Sequence, residues 1–201
     1  MGAVPGRDAS DGHPRDAYGH DTPEVPEWAP LEPLPSSQML LAAFDGKRPV
    51  TAADILDPAF DLVACQEQYR LAFEMLGTDS VSTEQVKHAE VELVTAHADI
   101  EMLIAVIDDV VAERLRQWLT HLPSQKAHFP TIVCSGPLMP IHTESIGEVT
   151  ARIAVLWEAL SARGIQLDEG CADAEQLREL CRAYDVLAAE IETGRRLPPR
   201  V

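Results

Sequence analysis

His142, Thr143, Glu144 and Ser145 stand side by side just ahead of an apolar-periodic stretch, and Arg152 follows about two helical turns on. Side chains of these types belong at a helix N-terminus, where unpaired N–H groups and a partial positive charge favour anions. Arg152 then has the chemistry to hold a carboxylate or phosphate, with Thr143 beside it. A plainer reading gives Thr143, Glu144 and Ser145 to helix capping and pairs Arg152 with Glu144. A second group, His97, Glu101 and Asp108, is spaced along one long helical segment. His97 sits on the stripe of Leu93, Ile100 and Ile104 and is expected to face inward, with both carboxylates following along nearly the same face. An inward histidine flanked by acids forms a general-base pair, or else a buried polar network that sets helix register. Joined, the two groups predict one site. His97, Glu101, His142 and Glu144 would be its acid–base residues, and Arg152, Asp108 and Thr143 would bind substrate.

Other chemistries find less support. Ferritin-like di-iron sites need Glu-x-x-His pairs on two helices, and zinc proteases need His-Glu-x-x-His; neither pattern occurs. No metal site is therefore predicted. No glycine-rich nucleotide loop or G-x-S-x-G elbow occurs either, so no cofactor is expected. Cys134, near His128 and His142, makes a loose Cys/His arrangement for which an inert buried thiol is the better reading.

Helices must position these groups. A short helix is predicted over Ser37–Phe44, ended by Asp45-Gly46. Asp57-Pro58 reads as an N-cap and first-turn proline for a helix over about 58–76, stopped at Gly77. Ser82 with Gln85 forms a capping-box pattern opening the longest element, about 83–122. Ser145 with Glu148 opens a helix over about 145–163, and Asp173 with Gln176 opens the last, about 173–193. Between the third and fourth lies a long apolar loop, 123–141, whose four prolines forbid a helix and whose apolar residues suit packing over a pocket. Aromatics are only 5% of the chain, so aliphatic side chains must fill the core. The fold predicted is an all-α helical bundle of four main helices plus a short N-terminal one, occupying 35–201 as a single domain. Residues 1–34, rich in proline and acid, are expected to form a disordered tail in which Trp28 could dock a protein partner.

The formal charge of −17 makes nucleic acid and anionic membrane surfaces poor partners. No apolar run is long enough to span a bilayer, no secretory signal is apparent, and four scattered cysteines suit a reducing cytoplasm. The long helix would reach roughly 60 Å, well beyond its neighbours. A second copy is the economical cover for it, and a homodimer is predicted.

Glu144-Ser145-Ile146-Gly147 with Arg152-Ile153 resembles the Ser-Glu-Thr-Pro-Gly…Asp-Arg-Leu segment of domain-of-unknown-function family 4254. Ile107-Asp108 and the final LRELCRAYDVLAAEIETGRR are similar to further parts of it, and the likeness covers about a third of the chain, mainly 142–196. Glu144, Gly147, Arg152 and Asp108 carry over. The family's earlier polar helix is replaced here by Cys65, Gln66, Gln68 and Met75-Leu76, its Pro by Ile146 and its Asp by Ala151. The resemblance implies an all-helical bacterial protein associated with envelope-polysaccharide or specialised-metabolite biosynthesis. Two functions are expected on these grounds. One is a small-molecule-binding protein, in its catalytic form a cofactor-independent enzyme. The alternative is a non-catalytic dimeric module that recruits a biosynthetic partner.

Overall fold

The computed structural model describes residues 32–47, 50–121, 143–165, 167 and 170–193. The expectations for the tail up to residue 31, the 123–141 loop with Cys134 and His128, and His142 lie outside the described residues. Five helices account for most of the rest: α1 (Ser37–Phe44), α2 (Ala53–Leu76), α3 (Thr83–His121), α4 (Ile146–Ala162) and α5 (Ala172–Glu192). The chain is an all-α bundle, with no strand among the described residues.

Local chemistry explains most boundaries. Ser82 and Gln85 exchange side-chain-to-backbone bonds of 3.3 and 3.0 Å ahead of α3. Ser145 and Glu148 do the same for α4, at 3.1 and 2.7 Å. At α5 the cap is Cys171, whose Sγ accepts from Ala174 N. Asp173, expected to cap, lies instead within the first turn, where its charge suits the helix dipole and it pairs with Arg163.

The start of α2 differs from the sequence expectation. The helix begins at Ala53, and Pro58 lies inside it rather than at its first turn. Ile55 and Leu56, ahead of the proline, are buried and hold that early turn in the core. Its N-cap is Ala52, in the left-handed region (φ 57°) with no side chain able to cap. The missing cap comes from a distance: Glu32 Oε1 accepts the Ala52 N–H.

α2 and α3 form an antiparallel hairpin joined by a six-residue turn. α4 lies against both, α5 packs on α4, and α1 bridges α2, α4 and α5. Aliphatic residues such as Leu40, Leu62, Ile107, Ile153, Leu177 and Ile191 fill the core. Phe44 and Trp157 supply one aromatic contact, their ring centroids 6.2 Å apart.

Residues 32–34, expected to belong to the tail, are part of this packing. Leu34 is buried in the core. Its N–H donates to Glu192 at 2.6 Å, and Ser37 N donates to Asp185 at 2.7 Å. The strongest tie is Arg114 on α3, which is 7% exposed. Its guanidinium donates to the backbone carbonyls of Glu32 (3.1 Å) and Pro33 (2.8 Å) and to the carboxylates of Glu32 and Asp54. Three chain segments thus meet on one cation. Arg114→Met is expected to cost about 2–4 kcal/mol, less than a fully buried pair because both carboxylates are about half exposed. For a domain of this size that is roughly 5–15 °C in Tm, readable by circular dichroism. A shift within about 2 °C would mean that the strap is held elsewhere.

Candidate functional site

His97 does not face inward. It is exposed on α3, with its ring centroid 6.4 Å from that of Tyr69 on α2. The sequence stripe was centred on the bulky Leu93, Ile100 and Ile104. The buried seam is rotated from it, running through Ala89, Ala96, Ile100, Leu103, Ile107 and Val111. Small residues let α2 approach closely, through its own buried Ala72, so the contact centre follows the alanines rather than the largest side chains. Glu101, one residue beyond Ile100, is exposed as well. The predicted histidine–carboxylate pair is therefore corrected to two solvated residues.

Asp108, expected to bind substrate, meets the start of α4. Its Oδ1 accepts the N–H of Gly147, in the first turn of α4, at 2.8 Å. A Cβ built on Gly147 would lie 2.5 Å from the Ile104 carbonyl oxygen and 3.0 Å from Asp108 Oδ1. Glycine is what lets α4 press its N-terminus onto α3, and Asp108 answers the positive end of that helix.

Thr143 is exposed and Glu144 half-buried. Arg152 Nη1 donates to both oxygens of Glu144, at 2.7 and 2.9 Å, across the start of α4. The pair borders a groove of about 370 Å³ between α4 and α5 that includes Val149, Gln176, Glu179 and Leu180. An incoming anion would have to displace Glu144 from Arg152 and tolerate Glu179 nearby. Neither His97 nor Asp108 lines this groove, so among the described residues the members of the expected site lie apart.

A second concavity, about 450 Å³, is lined by Glu32, Asp54, Asp109, Val110, Glu113, Arg114 and Gln117. Sequence inspection missed it because Glu32 and Asp54 are distant from α3 along the chain and meet it only through Arg114. Among the described residues, no group of three or more His, Cys, Asp or Glu is placed to hold a metal ion. No described helix is long and apolar enough to cross a membrane.

The described cysteines are free thiols whose surroundings favour the protonated form over the nucleophilic thiolate at two positions. Burial, then Asp99 and Asp61, push Cys65 up. Burial, then Asp185, push Cys181 up to about 11, against an opposing bond from Ser37. Tyr184 is also fully buried, and its hydroxyl has no hydrogen-bond partner among the described residues. Burial, followed by Asp185 and Glu192, pushes this phenol up too. The chain matches no protein-family model, no curated protein and no solved structure.

Two outcomes follow for this region. Gly147→Ala is expected to destabilise by about 1–3 kcal/mol through overpacking, whereas Arg152→Ala should stay within about 1 kcal/mol, as an exposed ion pair does. Urea unfolding of both variants checks the ordering, and the reverse ordering would refute it. The thiol gives a pH signature. An unfolded Cys181 loses its proton near its ordinary value of 9.0, while the folded one keeps it to about 11. The unfolded state is therefore favoured progressively across that interval, and stability falls as pH rises. Cys181→Ala should flatten that part of the stability–pH curve; an unchanged slope would assign the loss to other groups.

Proposed function

We propose that the protein is a non-catalytic, dimeric interaction module: a helical scaffold that holds a protein partner. The observation that carries this reading is the end of α2. Three of its last six residues, Leu71 (49%), Phe73 (63%) and Met75 (39%), are large, apolar and exposed. An aromatic side chain left in water at the tip of a hairpin is a natural anchor for a protein surface. The residues whose types suggested chemistry favour the same reading by their occupations. Asp108 caps α4, Glu144 is engaged by Arg152, and His97 is solvated.

The partner's setting follows from the sequence. Likeness to domain-of-unknown-function family 4254 at Asp108, Glu144, Gly147 and Arg152 points to a bacterial biosynthetic enzyme as the protein held. Free thiols are in keeping with the cytoplasm as its place of action. A dimer would double the anchors offered to such a partner. The α4–α5 groove supports a second reading, a small anionic ligand held by Arg152 after Glu144 swings away.

Affinity capture from native lysate separates the two. Under the module reading, wild-type protein retains a stoichiometric protein partner that Phe73→Ser loses, with helicity and Tm unchanged. Capture of the same protein by both forms would overturn the assignment of Phe73. Retention of a small molecule by wild type and its loss in Arg152→Ala, detected by native mass spectrometry, would overturn the module reading in favour of the ligand.

A further inference from the structure

The outward face of α3 carries a second helical seam, opposite the one that packs on α2 and α4. Val91, Thr95, Ala98, Met102 and Ala105 are separated by four, three, four and three residues, the spacing of a seam that meets another helix. None is charged, and Val91 and Met102 are 62% and 56% exposed. Val94 and Val106, 68% and 42% exposed, flank them. Charge resumes with Lys87 and Glu84 at one end and with Asp109, Glu113 and Arg116 at the other. Glu84 pairs with Lys87 at 3.8 Å ahead of the strip, and Glu113 pairs with Arg116 beyond it.

Apart from Val91, whose mirror is the charged Asp109, these positions are symmetric about residue 100. Ala98 mirrors Met102, Thr95 mirrors Ala105, Val94 mirrors Val106, Lys87 mirrors Glu113 and Glu84 mirrors Arg116. A two-fold axis perpendicular to α3 brings each residue of a mirrored pair to the level of its mate in the other copy.

We infer that the outward face of α3 packs antiparallel on α3 of a second copy, with the two-fold axis at the level of residue 100. This rests on the dimeric reading above and adds its surface, direction and register. In the two central layers Met102 seats over the partner's Ala98, a long side chain over a small one. At each end Glu84 comes level with the partner's Arg116 and Lys87 with the partner's Glu113. Asp109 falls beside the partner's Val91, one turn from the partner's Lys87, which also meets the carboxylate rim formed by Asp109 and Glu113. Glu101 stays solvated at the flank.

Charge selects this face for self-association. Two chains of formal charge −17 repel, and an outward strip uncharged from Val91 to Ala105, with Glu84 and Lys87 before it and Asp109, Glu113 and Arg116 after it, offers a face on which that repulsion is reduced. From Val91 to Ala105 the strip is roughly 21 Å long at 1.5 Å per residue. A single helix-on-helix contact of this length lies at the small end of specific interfaces, so the dimer is expected to dissociate on dilution.

Disulfide trapping tests the register. Val91→Cys is mixed with Asp109→Cys under mild oxidation, with each variant alone and the wild type run beside it. The antiparallel register puts position 91 next to the partner's 109 and keeps like positions about 27 Å apart, far beyond disulfide reach. A covalent dimer is expected in the mixture and not in either variant alone. Sedimentation equilibrium of the wild type should give a concentration-dependent dimer that Ala98→Glu reduces to monomer without loss of helicity. A dimer mass with no cross-link in the mixture, or a cross-link formed equally by either variant alone, overturns the α3 register and leaves the dimeric reading standing. A monomer at every concentration overturns both.

Discussion

Arg114 is the point at which three otherwise separate stretches of chain become one structure. It sits on α3, its guanidinium is almost wholly buried, and it binds the first turn of α2 and the segment leading into α1. Taking a guanidinium out of water is costly unless its donors are met, and here backbone carbonyls and carboxylates meet them. The burden is uneven. Glu32 and Asp54 keep about half of their side-chain surface in water, while the arginine keeps little. The cation therefore depends on its acceptors more than they depend on it. The same cluster leaves Glu32 free to supply, through its other oxygen, the cap that Ala52 cannot make for α2. The early start of α2 is held both by this cap and by the burial of Ile55 and Leu56.

The α3–α4 junction applies the same logic with a backbone donor. A glycine permits close approach, and an aspartate meets the helix end thereby brought in. Capping and catalysis draw on the same residue types because both need an acceptor aimed at a donor in a partly dry place. Type and spacing alone cannot separate them. What separates them is whether the donor is already supplied by the protein, as Gly147 supplies it to Asp108.

The helices were largely legible from periodicity and caps. α1 has its expected ends, and α3, α4 and α5 begin and end within a residue or two of expectation. These elements carry their own start and stop signals, from the Ser82–Gln85 and Ser145–Glu148 boxes to Gly164. The α2 start was not legible because its cap is Glu32, twenty residues upstream. Asp57-Pro58, a locally convincing signal, was outweighed by apolar residues preceding it. Among the candidate site residues, the pairing of Arg152 with Glu144 was one of the two readings that the residue types allowed. The orientation of His97 was misjudged for a packing reason. Hydrophobic periodicity weights the largest side chains, whereas two helices in close contact centre on the smallest.

The same distinction bears on the outer side of α3. Its strip is composed largely of Ala, Thr and Val with one Met, so a hydrophobicity scan passes over it in favour of the stronger inward stripe. Small residues mark where a helix backbone can be approached closely, and on the inward side Ala89 and Ala96 mark such an approach by α2. An outward run of comparable residues, uncharged across four turns on a chain this acidic, lacks the charged side chains that keep a solvated face in water. Its mirror order of charges gives the direction in which an identical helix would lie. An isologous contact sets each residue against its mirror about the axis, so it needs self-complementary pairs such as Glu84 with Arg116 and Lys87 with Glu113, which a heterologous partner does not need.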